Sequence, residues 1–139
     1  MSHQQNTAIA QKFLEGIGGG RDPDEIAALF DADLVFEIQG DDGVLPWIGR
    51  KTGRQSVAGF IRDIRALTES IMFDVEDILA SDTRAAIVGA LQTRIKATGK
   101  IIATQFAIIL TITGDVVTRF QMLEDSFDVS KAARDGRFL

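Results

Sequence analysis

The side chains able to do chemistry in this 139-residue chain are few in kind: there is no cysteine, no tyrosine and a single histidine, His3. His3 falls in the polar opening stretch Met1 to Asn6, which reads as a tail outside the fold. Ser-His-Asp hydrolysis, Cys-His chemistry and histidine-based zinc sites need an imidazole or thiolate inside the fold, so those classes are excluded. Proton transfer falls to carboxylates, Lys or Arg, with Asn, Gln, Trp and backbone N–H groups as donors. Among the acids, Asp125 stands out. It ends the run Val116 to Asp125, the second half of a hairpin built from Gly99-Lys100, the apolar run Ile101 to Ile112 and the turn Thr113-Gly114-Asp115. Displayed at the end of an otherwise mostly apolar ribbon, it is the acid to consider for proton transfer. A plainer reading stays open: Asp125, followed by Ser126 and Asp128, also fits a residue that ends a strand and caps a short helical turn. Adjacent strand residues point to opposite faces. Glu124 is therefore no proton-sharing partner for Asp125, whereas Gln121 and Leu123 share its side.

The elements that must position this carboxylate follow from periodicity. Ile9, Phe13, Leu14 and Ile17 recur at helical spacing until Gly18-Gly19-Gly20, which predicts a helix from about Thr7 to Ile17. Asp22-Pro23-Asp24-Glu25 starts a second, short helix with Ile26, Leu29 and Phe30 on its buried face; its acids serve the helix N-terminus rather than a metal. Leu34, Phe36 and Ile38 alternate with polar or smaller neighbours as a short strand. The loop Gly40 to Gly49 carries the only tryptophan, Trp47, among Val44, Leu45 and Ile48, so it is expected to fold back over something apolar. Trp47 either plugs the core or lines a pocket. Asp41 and Asp42 lack the further oxygen ligands of a calcium loop, and Gly49 to Arg54 lacks the glycine spacing and Lys-Ser/Thr ending of a phosphate loop. It leads instead into a third helix, Gln55 to about Leu67, with Val57, Phe60, Ile61, Ile64 and Leu67 on one stripe. Thereafter the period is two: Met72 to Leu79, Arg84 to Ala97 and the closing hairpin give four consecutive antiparallel strands. The class is α+β.

Both faces of Ile101 to Ile112 are mostly apolar, so the sheet must be covered on both sides. Three helices cover one face; a second copy of the chain is the simplest cover for the other, which predicts a homodimer through the sheet. The net charge of −5 argues against nucleic-acid partners, whose affinity rests on Lys and Arg neutralising phosphates. No apolar run reaches the roughly 20 residues of a membrane span, and a soluble cytoplasmic protein is the expectation. One domain, 1–139, with tails at 1–6 and about 134–139, accounts for the chain.

The order Gly99-Lys100, Phe106-Ala107, Gly114-Asp115, Phe120 and Asp125, with the lead-in Trp47-x-Gly49-Arg50-x-x-Gly53-Arg54-x-x-Val57, resembles the nuclear-transport-factor-2-like superfamily, which includes SnoaL-like polyketide cyclases and ketosteroid isomerases. The resemblance implies a cystatin-like cone: a curved antiparallel sheet wrapped by three helices of the N-terminal half, with an apolar cavity. It implies an acid-base role for Asp125 on a largely apolar small molecule, without metal or cofactor. The candidate cavity wall comprises Phe13, Phe36, Trp47, Phe60 and Phe106, joined by Gln121 and Leu123. The chain departs from its relatives' mechanisms: it has no tyrosine to act as the oxyanion donor of ketosteroid isomerases, Arg94-Ile95-Lys96 in place of the Arg-x-Asp of limonene-epoxide-hydrolase-like members, and no histidine in the sheet. The readings are an isomerase, cyclase or hydrolase using one aspartate, a small-molecule-binding protein without catalysis, or a dimerising adaptor with a filled cone.

Overall fold

The computed structural model describes residues 3–134. Its elements, in chain order, are α1 (His3–Gly18), α2 (Pro23–Ala27), β1 (Phe30–Ile38), β2 (Gly49–Thr52), α3 (Gln55–Leu67), β3 (Thr68–Ala80), β4 (Arg84–Ile95), β5 (Ile101–Thr113), β6 (Val116–Glu124) and α4 (Ser126–Ala133). The strands form one sheet in the order β2-β1-β6-β5-β4-β3. Neighbours run antiparallel except β1 and β6, which are parallel. The architecture is the expected α+β cone, with α1 to α3 against the sheet's inner face.

Alternation decides what faces inward. Registered rows such as Phe36-Phe120-Leu110-Ala85 and Ile38-Met122-Ile108-Ile87 join inward residues across β1, β6, β5 and β4, and each of these eight is buried. The helices supply Ala10, Phe13, Ile26, Val57 and Ile61 to the same core. Four phenylalanines meet around Phe120: Phe36 stacks on it at 5.0 Å, and Phe13, Phe30 and Phe60 lie 5.8 to 6.3 Å from it. Such ring contacts add to the burial itself.

Curvature comes from β3 and β4. The register slips at Ser70/Met72 and again at Val75/Asp77, and an extra residue on one strand bends it. Gly89 sits opposite Val75 at this bend. A Cβ there would stand 1.9 Å from the Asp74 carbonyl oxygen, so only glycine allows the approach. At the β5–β6 turn, Gly114 (φ 55°) and Asp115 (φ 69°) both take the left-handed conformation, as a two-residue hairpin turn that matches strand twist requires.

Four elements differ from the sequence reading; one is β3, which begins at Thr68 rather than Met72. The stretch read as a tail is helical from His3 onward; Asn6, 1% exposed, donates to the Ser81 carbonyl at 2.8 Å, and His3 lies 3.2 Å from Asp82. Phe30 begins β1 rather than closing α2. Gly49 to Thr52 forms a polar edge strand paired with β1, which no apolar alternation announces. Asp22 occupies the N-cap position of α2 without a side-chain hydrogen bond, and Asp24 instead pairs with Arg62 of α3 at 3.1 Å. Residues 135–139, part of the expected C-terminal tail, lie outside the described residues. Among the described residues no helix is long and apolar enough to cross a membrane.

Candidate functional site

Between the helices and the inner sheet face lies a hollow of about 490 Å³. α1 contributes Phe13, Leu14 and Ile17 to its wall, α3 contributes Phe60, Ile64 and Arg65, and α4 contributes Val129. The sheet supplies Phe73, Leu91, Ile102, Ile108 and Met122. Trp47 reaches it from the loop between β1 and β2, only 6% exposed. The two readings of Trp47 therefore meet in one side chain, which packs against Phe60 at 6.2 Å and presents surface to the hollow.

A single acid stands on this wall among the described residues: Glu124. Strand parity places it there. Glu124 registers with Phe106, as Met122 does with Ile108 and Phe120 with Leu110, and all face inward. Burial among apolar neighbours pushes the Glu124 carboxyl from 4.5 up to about 7. Among the described residues it has no ion-pair partner to offset that.

Asp125 lies elsewhere. β6 ends at Glu124, and Asp125 is the exposed N-cap of α4: its Oδ1 accepts from the Asp128 backbone N–H at 3.1 Å, while its own N–H donates to Thr104 Oγ1 at 2.9 Å. Gln121 and Leu123, which share its parity, face the outer side of the sheet; Leu123 is 40% exposed. Of the aromatic candidates, Phe13, Trp47 and Phe60 line the hollow. Phe36 is sealed beneath it, stacked on Phe120. Phe106 faces inward but is covered by Phe73, whose ring stacks on it at 4.9 Å. The strand-end carboxyl on the wall of the hollow is Glu124, one residue before Asp125. The signal that favours Glu124 was legible as alternation from Phe120 through Met122, two inward residues that put position 124 on their side.

A second set of polar side chains lies on the sheet further from Glu124. Thr68, Ser70 and Thr93 line the hollow, and Ser70 is registered directly opposite Thr93. Arg65, three residues before Thr68 and on the same wall, donates to the carbonyls of Arg21 (2.6 Å), Gly16 (3.5 Å) and Ile17 (3.2 Å), answering the partial negative charge at the end of α1. The loop bearing Trp47 is tied to α4, because Asp41 Oδ2 accepts from Ser130 Oγ at 2.7 Å and from Arg134. These two hydrogen bonds hold the Asp41 carboxyl below its ordinary range. Among the described residues no three His, Asp or Glu side chains converge as metal ligands would.

The family of SnoaL-like domains matches residues 10–120. Among solved structures, an NTF2-like protein from Burkholderia xenovorans LB400 superposes with a TM-score of 0.86 over 96% of this chain and 99% of that one, at 22% identity. A Xanthomonas campestris protein provisionally named a polyketide cyclase reaches 0.72 over 95% and 98%, at 17% identity. A Catenulispora acidiphila protein with a ketosteroid isomerase-like fold, in complex with trimethylamine, reaches 0.67 over 83% of each chain, at 19% identity. At such identities the likeness is one of fold. A search of curated protein sequences finds no match.

Proposed function

The chain belongs to the family of SnoaL-like domains, and from that premise we propose that it acts on a largely apolar small molecule bearing a carbonyl, with Glu124 as the single acid-base group. The observation that carries this reading is the position of Glu124: a lone carboxyl on the wall of an apolar hollow, poised to titrate near neutral pH. A general base works best when its pKa lies near the working pH. Proton abstraction next to a carbonyl, followed by return of the proton to another carbon or by ring closure, needs no more than such a group and a way to hold the enolate. Asp125, committed to its cap, takes no part. With no tyrosine in the chain and no histidine on the wall of the hollow among the described residues, neither of those side chains stands beside Glu124 to hold the enolate oxygen, which favours substrates whose α-protons are already acidic.

The test is deuterium incorporation into 2-tetralone in D2O, followed by NMR. The wild-type chain and Asp125→Asn are expected to accelerate exchange over the uncatalysed rate, and Glu124→Gln to abolish the acceleration. Exchange that persists in Glu124→Gln would remove Glu124 from the reaction. Exchange at background in all three, with the ketone bound, would leave a binding protein.

We further propose that a second copy covers the outer sheet face, where Val88, Ala90, Ala107 and Ile109 are only half-buried and Ile101, Met72, Leu79 and Leu123 are exposed. Sedimentation should show a dimer that Ile109→Asp converts to monomer.

A further inference from the structure

The polar groups on the wall of the hollow are segregated. Glu124 stands at the level of Gly89 in the sheet register, since both pair with Phe106 of β5. Thr93, four residues along β4, pairs with Ser70 on one side and with Ile102 on the other. At about 3.3 Å per residue, that offset is roughly 13 Å along the strands, and β6 and β3 are separated by β5 and β4 across the sheet. Between the two levels the described wall residues are Phe73 and Leu91, registered opposite each other and both apolar. A guest that satisfies both ends is elongated, with an apolar body.

The chemistry of the far end is specific. Arg65 is the only cationic side chain on the wall among the described residues, and no described carboxylate pairs with it. Its described hydrogen bonds run to three carbonyls through Nη1 and Nη2, and they leave Nε–H and a second hydrogen on Nη1 uncommitted. Those carbonyls include that of Ile17, itself on the wall, so the guanidinium sits at the rim of the hollow. The hydroxyls of Ser70 and Thr93, registered opposite each other with Cβ atoms about 5 Å apart, make no hydrogen bond to any described residue. Arg65 and Ser70 are exposed and Thr93 is half-buried, so a charged group entering here stays in contact with water while its body lies in the hollow. A cation and two free hydroxyls together match an anion that accepts several hydrogen bonds.

We infer that Arg65, Ser70 and Thr93 form a head-group site for a carboxylate, so that the guest of this cavity is an elongated amphiphilic monoanion whose apolar body runs toward Glu124. This deepens the proposed function and rests on its cavity, but not on the catalysis assigned to Glu124. A carboxylate is favoured over a phosphate because one guanidinium is the whole positive charge that the described residues place on the wall.

Trp47 makes the test direct: as the only tryptophan, on the wall of the hollow, it reports occupancy by its own fluorescence. Decanoate, decanamide and decylamine share one apolar chain and differ in the head. At about pH 6, where a fatty acid is ionised and Glu124 is mostly protonated, decanoate is expected to bind about tenfold tighter than decanamide, and decylamine weakest. Arg65→Gln should abolish the preference while leaving the affinity for decanamide within about twofold, and Arg65→Lys should retain part of it. Thr93→Val, which keeps the shape of the strand and leaves α1 untouched, should reduce the preference about threefold. Equal binding of decanoate and decanamide, tighter binding of decylamine, or a preference that survives Arg65→Gln would overturn the head-group site while leaving the cavity intact. Absence of any response from Trp47 to all three would overturn both.

Discussion

The same residue types build two different places in this molecule. Around Phe120, phenylalanines from α1, β1, α3 and β6 close on one another until no space is left. A few residues away, Leu91, Ile102, Ile108 and Met122 face inward with equal regularity and enclose a hollow of about 490 Å³. Side-chain chemistry does not separate the two; coverage does. Phe36 and Phe120 lie on central strands β1 and β6 with helices above them, whereas β3 is the edge of the sheet, and its inward Phe73 remains 47% exposed. Interiors pack to crystal-like density where they can. An apolar hollow left open beside a solid core is what a guest-binding fold requires, and on its wall stands Glu124, whose carboxyl burial pushes up to about 7.

The contrast can be broken most severely at the packed end. Phe120→Ala removes a fully buried ring that touches four others and should cost about 3–5 kcal/mol in urea unfolding. The open end is probed by the pH dependence of stability. Because burial raises the Glu124 carboxyl from 4.5 to about 7, the folded state holds a proton that the unfolded chain has already released between those values. The resulting stabilisation is complete below about pH 4.5, declines as pH rises toward 7 and is gone above it, amounting to at most about 2–3 kcal/mol. Urea unfolding at pH 5 and at pH 8 should show the wild-type chain losing that much more stability than Glu124→Gln, whose amide does not titrate. At the boundary between the two regions, Asp125→Ala should cost about 1 kcal/mol through loss of the cap on α4, with deuterium exchange into 2-tetralone unchanged. Smallest is Phe73→Ala: its half-exposed ring should cost less than about 1 kcal/mol, seen as a slight shift in the same unfolding curves.

The sequence carried most of the architecture because long periodic segments announce themselves. The alternations of β4, β5 and β6 fall where spacing predicts, and so does the stripe of α3 except at its last member, Leu67, which is 41% exposed. β2 was illegible, since Gly49-Arg50-Lys51-Thr52 owes its strand conformation to pairing with β1 rather than to any pattern of its own. The opening of α1 was hidden in the same way. His3 to Asn6 look like a solvated tail until Asn6 finds the Ser81 carbonyl, 75 residues away in sequence.

The site was half legible. The hairpin placed a carboxyl at the end of the last strand and the family resemblance implied an apolar hollow beside it, but which carboxyl stands there depends on where the strand stops. Carrying β6 one residue too far made Asp125 a strand residue; in the fold it has left the ladder to cap α4. Phe36 and Phe106 illustrate a different gap: periodicity shows that they face inward, yet whether an inward ring meets another ring or empty space depends on what lies above it. Arg65 gave no sign at all, because an arginine on the polar side of a helical stripe reads as solvated until the end of α1 and the β3 edge are brought beside it.

Glu124, not Asp125, is the carboxyl that meets the hollow. Carbon-13 NMR titration of the side-chain carboxyls, with Glu124 assigned by its absence in Glu124→Gln, measures this directly. A midpoint for Glu124 near 7 is expected; a midpoint at the ordinary glutamate value near 4.5 would contradict its burial against the hollow.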